Sequence, residues 1–286
     1  LLTELKFKIA DKVVFAKIRQ KMGGRLKGAM SGSAAMNVEI AHFFFDVGIP
    51  IYDCYGMTET SPAVAMNASF AYRLGSVGRA IENVRIVIDS SAVEEGAADG
   101  EIVVYGPNVM KGYHNKPDKT REVMTPDGGI RTGDRGRLDA DGYLYITGRI
   151  KEQFKLENGK FVFPAALEEE ISLVPWVQNV LIFGENRPFT IALVVPDFLM
   201  VERHAEKNGI SGDIRQLIEN ADIQAMVTGE ILKVLRGRFG GYEIPKKFLY
   251  LTEGFTSENG MLTQTLKLKR RVVLEKYRDR IEALYA

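Results

Sequence analysis

The sequence predicts an α/β layer that runs into a small antiparallel sheet or distorted β-barrel, followed by a second domain of α+β type. Three observations carry this expectation. Residues 26–55 alternate strand, glycine-rich bend, helix and strand, the rhythm of an α/β layer. Residues 84–147 hold short alternating strands separated by Gly, Pro, Asn and Asp turns, which suits an antiparallel sheet or barrel. Beyond Arg149 strands alternate with helices again, and 286 residues suffice for two domains with a core each.

Taken in order, Leu5, Ile9, Val13 and Ala16 share one face of a helix over Leu2 to Lys21, which the Gly23-Gly24 pair stops. A strand follows at Leu26 to Ser31, then a helix from Asn37 to Val47 capped by Gly48, then a strand at Ile49 to Tyr55. Further strands are predicted at Val84 to Ile88, Glu101 to Tyr105 and Tyr143 to Thr147, the last bracketed by Gly142 and Gly148. The change of texture places a domain boundary between Thr147 and Lys151, dividing the chain into 1–148 and 149–286. The second domain reads as strands at Val177 to Phe183, Thr190 to Val195 and Lys247 to Leu251. Pro164 and Pro196 stand where helices begin. Val273, Tyr277, Ile281 and Leu284 place a final helix over Thr265 to Tyr285.

Composition narrows the classes. Against 38 Lys and Arg stand 37 Asp and Glu, so a global basic field for nucleic acid is excluded, although a locally placed anion site is not. The single cysteine, Cys54, rules out an internal disulfide and fits a reducing, cytoplasmic setting. No apolar run reaches the roughly 18 residues of a membrane span; peripheral membrane contact and oligomeric state stay open. The chain starts without Met, directly on a helical pattern, so a truncated chain is expected.

Three clusters carry chemistry. Tyr55-Gly56-Met57-Thr58-Glu59-Thr60 follows a buried-type strand. A glycine there admits close backbone approach by a ligand, and a hydroxyl beside a carboxylate suits a phosphate oxygen with a hard cation. Arg131-Thr132-Gly133-Asp134 sets a carboxylate after a glycine turn, a group suited to accepting two ribose hydroxyls. Alone, Asp134 beside Arg135 is more often a surface ion pair worth little. Asn259 to Arg270 places Lys267, Lys269 and Arg270 at a helix start, where cations oppose the macrodipole. No glycine loop ending in Gly-Lys-Ser/Thr exists, and His42, His114 and His204 are too scattered for a zinc site or a hydrolase triad.

These clusters, with Ser31 to Ala35, Gly100-Glu101-Ile102, Gly112-Tyr113 and Gly148-Arg149-Ile150-Lys151, stand in an order that resembles the adenylate-forming superfamily of acyl-CoA synthetases, luciferases and peptide-synthetase adenylation domains. Phe154 to Lys160 and Thr265 to Arg270 resemble its long-chain fatty acyl branch. One departure is Leu266, where many relatives have glycine before the lysine. The resemblance implies the end of the family's large N-terminal domain followed by its small mobile C-terminal domain. It implies that Ser33 and Ala34 line the adenine, Tyr55 stacks on the base, Gly56 lies against the nucleotide, Thr58 meets the α-phosphate and Glu59 holds Mg2+. Asp134, assisted by Arg149, would take the ribose, Lys151 would be the hinge, and Gly159 would border the pantetheine channel. Lys267 would be the mobile catalytic lysine.

The activity so implied joins a fatty acid to CoA with ATP and Mg2+ by way of an acyl-adenylate. The triphosphate loop would lie outside this chain, which is therefore expected to be inactive alone. Rival readings are a ligase for shorter or aromatic acids, an acyl-adenylate ligase serving a carrier protein, and a non-catalytic binding or regulatory module on the same scaffold.

Overall fold

The computed structural model describes residues 2–32, 36–93, 96–264 and 266–286. The chain divides into two compact units, Leu1–Ile150 and Lys151–Ala286.

In the first unit, the opening helix is Leu2–Ala10 (α1) continued through a π-helical turn, Asp11–Phe15, into Ala16–Lys21 (α2). Gly23 and Gly24 end it at φ +90° and +71°, values glycine adopts at no steric cost. The apolar face read from the sequence is solvent-exposed in this chain at Leu5, Ile9 and Val13. A parallel pair, Ala29–Ser31 (β1) and Ile51–Gly56 (β2), brackets Val38–Val47 (α3), the crossover that parallel strands require. Asn37 caps α3 by accepting from the Glu39 amide at 2.8 Å, and Gly48 closes it in the left-handed conformation. Ala63–Met66 (β3) and Arg79–Ala80 (β4) extend this sheet with antiparallel pairing.

A second four-stranded sheet runs Arg85–Asp89 (β5), Gly100–Tyr105 (β6), Ile130–Leu138 (β7) and Leu144–Arg149 (β8), all antiparallel. The short helix Pro117–Val123 (α4) lies between β6 and β7 in the chain. The two sheets meet at a corner. The Val77 amide donates to the Leu144 carbonyl and the Leu144 amide to the Gly78 carbonyl, both at 2.8 Å. Gly78 makes this possible: at φ +84°, a Cβ there would fall 1.8 Å from the Met66 carbonyl carbon. Val64, Ala65, Ile102, Val104, Ile130 and Leu144 form the core under both sheets.

The distorted barrel expected from the sequence is corrected to open sheets. Among the described residues β5 pairs only with β6, and β8 with β7, so the meander never closes on itself. A strand was also missed, since β7 runs straight through the segment read as a glycine turn.

The second unit starts with a hairpin, Phe154–Lys155 (β9) and Phe161–Val162 (β10). Pro164–Ser172 (α5) leads into a three-stranded sheet of Val177–Phe183 (β11), Ile191–Pro196 (β12) and Lys247–Tyr250 (β13). Phe198–Asn208 (α6), Ile214–Glu219 (α7) and Ala221–Leu235 (α8) lie between β12 and β13 in the chain; Arg270–Lys276 (α9) and Arg278–Tyr285 (α10) end it. β12 is buried on both faces, as a continuous apolar run predicts. Its Ala192 and Val194 join Leu167, Ile171, Val227 and Ile231 on one side; Ile191, Leu193 and Val195 meet Val273, Tyr277 and Ile281 on the other.

The single terminal helix expected over Thr265 to Tyr285 is corrected to two short ones. Residues 266–269 are loop, and Tyr277, at φ −104° and ψ 16°, interrupts α9 and α10. The two compact units part after Ile150, within the Thr147 to Lys151 stretch. Arg149 is still paired with Asp134 across β8 and β7, and the Ile150 amide donates to the Gly133 carbonyl at 2.9 Å.

Candidate functional site

Asp134, one of the expected site residues of the first unit, stands on a β-bulge. β7 bulges against β6, with Arg131 opposite Val103 and Arg135 opposite Glu101, so three residues of β7 face one of β6. Gly133 takes φ +73° at the bulge and donates its amide to Glu101 Oε1 at 3.1 Å. The Thr132 hydroxyl donates to the Ile102 carbonyl at 2.8 Å and accepts from the Asp134 amide at 3.1 Å. Glu101 is itself held by Arg131, which also reaches Asp89 at 2.7 Å. The bulge is thus pinned on both strands, and it presents a largely buried carboxylate with fixed donors. The Tyr55 hydroxyl donates to Asp134 Oδ2 at 2.7 Å, and Arg149 Nε pairs with Oδ1 at 2.9 Å. Burial first, then the Asp134 charge, pushes the Tyr55 phenol far above its ordinary range, so Tyr55 remains the donor.

Tyr55 sits in β2, and the turn that follows carries Thr58 and Glu59, the residues expected at the phosphate and Mg2+. Its ring packs against the core below the sheets. Gly56 has a structural reason of its own, because a Cβ would fall 1.9 Å from the Pro62 carbonyl oxygen. Thr60 is fully buried and closes the turn. Its hydroxyl accepts from the Met57 amide at 3.1 Å and lies 2.6 Å from the Pro62 carbonyl, to which it donates. Thr58 is exposed. Glu59 Oε1 accepts from the Tyr113 hydroxyl at 2.8 Å, and its carbonyl accepts from the Met110 amide at 2.8 Å. The bond to Glu59 raises the Tyr113 phenol, with burial adding to it. Ser33 and Ala34, the expected adenine-lining pair, lie outside the described residues.

In the second unit, Lys151 is exposed at the very start. Gly159 is at φ +83° in the β9–β10 turn, where its amide donates to the Leu156 carbonyl at 2.9 Å. Lys267 is exposed on a closed loop. The Thr263 amide donates to the Lys267 carbonyl at 2.8 Å, the Lys267 amide to the Thr263 hydroxyl at 3.0 Å, and Leu262 bridges Leu268 below. Leu266, where many relatives of the resembled family carry glycine, holds φ +60°. Three residues beyond Lys267, the Arg270 guanidinium makes two 2.7 Å bonds to Glu168 Oε1.

With this geometry in hand, comparison decides the family. Residues 3–114 match the family described as AMP-binding enzyme, and residues 151–236 match the AMP-binding enzyme C-terminal domain. The chain belongs to the AMP-binding enzymes. It is 34% identical over its whole length to the long-chain-fatty-acid–CoA ligase FadD15 of Mycobacterium bovis, covering 46% of that protein. It is 33% identical over 97% of its length to the long-chain-fatty-acid–CoA ligase ACSBG1 of Bos taurus, covering 40% of it. The chain therefore spans less than half the length of these curated relatives. Among solved structures, the adenylation domain of a carboxylate reductase from Mycobacterium chelonae superposes with a TM-score of 0.77 at 28% identity, over 97% of this chain and 41% of that one. The O-succinylbenzoate coenzyme A synthetase of Bacillus subtilis, in complex with ATP and magnesium ion, superposes at 0.63 with 25% identity, over 85% and 45%.

For an AMP-binding enzyme, the sequence singled out Tyr55, Glu59, Asp134 and Arg149, and the structure joins three of these in one contact network. The sequence named Tyr113, Thr132 and Glu101 only as members of motifs, without a role of their own, and did not name Glu168. Their partners lie 54, 2, 32 and 102 residues away, and only the Thr132–Asp134 pair offered a local signal.

Proposed function

We propose that this chain carries the nucleotide-sugar, α-phosphate and lysine-bearing parts of a long-chain fatty-acid–CoA ligase. The observation that carries the reading is Asp134, a largely buried carboxylate presented on a pinned bulge and bracketed by Tyr55 and Arg149. Two oxygens fixed in this way suit the paired hydroxyls of a ribose, each lone pair beyond the existing bonds being an acceptor.

In the proposed reaction the fatty acid carboxylate attacks the α-phosphorus of ATP, the bond to pyrophosphate breaks, and acyl-adenylate forms. The CoA thiol then attacks the acyl carbonyl, loses its proton, and AMP leaves with the electron pair of the broken bond. No base is needed for the first step, since a carboxylate is deprotonated at neutral pH. Two anions must meet there, so placed positive charge dominates. Lys267, exposed in the second unit, is assigned the ammonium that supplies it, and the exposed Thr58 the contact to the α-phosphate. Glu59 fits a Mg2+ site because Tyr113 engages one carboxylate oxygen and fixes its orientation. Mg2+ with a nucleotide typically takes only one or two protein carboxylates. The ion, when bound, neutralises phosphate charge. Lys151, at the start of the second unit, is assigned the hinge, and Gly159 the border of the pantetheine channel.

The long-chain preference is supported by the ligases at 34% and 33% identity. The carboxylate reductase adenylation domain favours a second reading, acid activation without free CoA as acceptor. Turnover of palmitate, acetate and benzoate, with and without CoA, separates the two: palmitoyl-CoA formation supports the first, and adenylate formation without thioester the second. In the intact protein, Lys267→Ala is expected to lower ATP–pyrophosphate exchange about 100-fold or more while sparing thioester formation from supplied palmitoyl-adenylate. Normal exchange in that variant would refute the assignment of Lys267.

A further inference from the structure

Lys and Arg at the start of a helix oppose its dipole, and Arg270 opens α9. The structure gives this placement an answer. Arg270 turns away from the helix axis toward α5, where both its terminal nitrogens meet Glu168 Oε1 at 2.7 Å. The same oxygen accepts the Ile182 amide of β11 at 2.6 Å, and Arg270 also reaches the Ile182 carbonyl at 3.4 Å. Three elements, α5, β11 and α9, are tied at one carboxylate oxygen.

The loop bearing Lys267 is held at one side by Met261, which is fully buried in the core and accepts the Lys269 amide at 2.8 Å. Its other side leads straight into Arg270. Between these anchors Leu266 stands at φ +60° and Lys267 is exposed. A long side chain on such a loop keeps its aim only if both ends of the loop are fixed.

We infer that Arg270 and Glu168 are positioning residues for Lys267, fixing the outgoing end of its loop against α5 and β11. This rests on the reading of Lys267 given under the proposed function. A pair that merely stapled α9 to the unit would, when broken, lower both half-reactions together. A pair that aims Lys267 affects only the half-reaction that uses the lysine, because misplacement of a reacting group by about 1 Å is worth up to about 100-fold in rate.

The test uses Glu168→Gln, Arg270→Lys and Arg270→Met in the intact protein, with Lys267→Ala alongside. Each is assayed for ATP–pyrophosphate exchange with palmitate and, separately, for thioester formation from synthetic palmitoyl-adenylate and CoA. The expected result is a fall of about 10- to 100-fold in the exchange kcat, with thioester formation within about threefold of wild type and the KM for ATP little changed. Arg270→Lys should keep more exchange than Arg270→Met, since a lysine retains the charge without the fork. Equal loss of both half-reactions, or unchanged exchange in Glu168→Gln and Arg270→Met, would overturn the inference. If Lys267→Ala itself exchanges normally, the reading of Lys267 fails first. Thioester formation also reports folding, and Glu168→Gln keeps shape and volume should Arg270→Met unfold.

Discussion

Tyr55→Phe removes one hydroxyl and tests the geometry around Asp134 directly. The bond it deletes is 2.7 Å long and ends on a carboxylate that is largely buried. Hydrogen bonds to charged groups contribute about 1.5–3 kcal/mol net. The carboxylate keeps Arg149 at 2.9 Å and so is not stranded, which places the expected loss near the middle, about 2 kcal/mol. For a domain of this size that corresponds to roughly 4–8 °C in melting temperature. Urea unfolding and thermal scans of the intact protein measure it, and amide exchange at Asp134, Arg135 and Arg149 should quicken if the bulge loosens. Tyr55→Phe combined with Asp134→Asn should lose less than the sum of the single changes, by about 1 kcal/mol or more, because both remove the same bond. A Tyr55→Phe variant within about 0.5 kcal/mol of wild type, with additive behaviour in the double variant, would refute a structural role for this contact.

Two other outcomes follow from local geometry and charge. Leu266 is 72% exposed at φ +60°, so Leu266→Gly relieves a left-handed penalty of about 1–2 kcal/mol and loses only a little burial and chain stiffness; it should be neutral or stabilising by chemical denaturation, whereas β-branched Leu266→Val should be clearly destabilising. Burial pushes the Glu168 carboxyl up to about 7 from its ordinary 4.5, with Glu152 adding to the rise and Arg270 and the Ile182 amide opposing it. A carboxyl raised on folding favours the folded state below the unfolded value and loses that contribution as pH climbs through the folded value. Between pH 4 and 8 wild type should therefore lose up to about 3 kcal/mol relative to Glu168→Gln in urea titrations, and a pH-independent difference would contradict the shift.

How much of this was legible in the sequence depended on whether the deciding interaction was local. The helix over Val38–Val47 was readable because its cap, Asn37, and its stop, Gly48, are adjacent to it. β7 was not, because Arg131-Thr132-Gly133-Asp134 has weak strand propensity and a positive φ at Gly133. It is a strand only because β6 and β8 pair with it from either side. The terminal helix misled for a different reason. Val273, Tyr277 and Ile281 keep helical spacing across the break at Tyr277, since both short helices bury the same face against β12 and β13. Periodicity reports the buried face, not the continuity of the backbone. Whether a meander closes into a barrel is likewise decided at edges that lie far apart in sequence.

The candidate site shows the same limit within a single motif. Six consecutive residues from Tyr55 to Thr60 looked like one ligand-binding unit. The structure divides them by task. Gly56 is required because the Pro62 carbonyl occupies the space of a side chain, and Thr60 is required because its buried hydroxyl ties Met57 to Pro62. These two shape the turn. Tyr55 and Glu59 are then oriented by partners from other strands and loops, Asp134 and Tyr113, leaving Thr58 exposed between them. Part of the motif thus builds the turn, and the rest is held or left exposed upon it. Substitutions therefore separate by which part they touch: a change at Gly56 or Thr60 should unfold the turn and move every contact at once, whereas a change at the exposed Thr58 should leave the fold intact by urea unfolding, and lowers ATP–pyrophosphate exchange only if Thr58 has the role proposed for it.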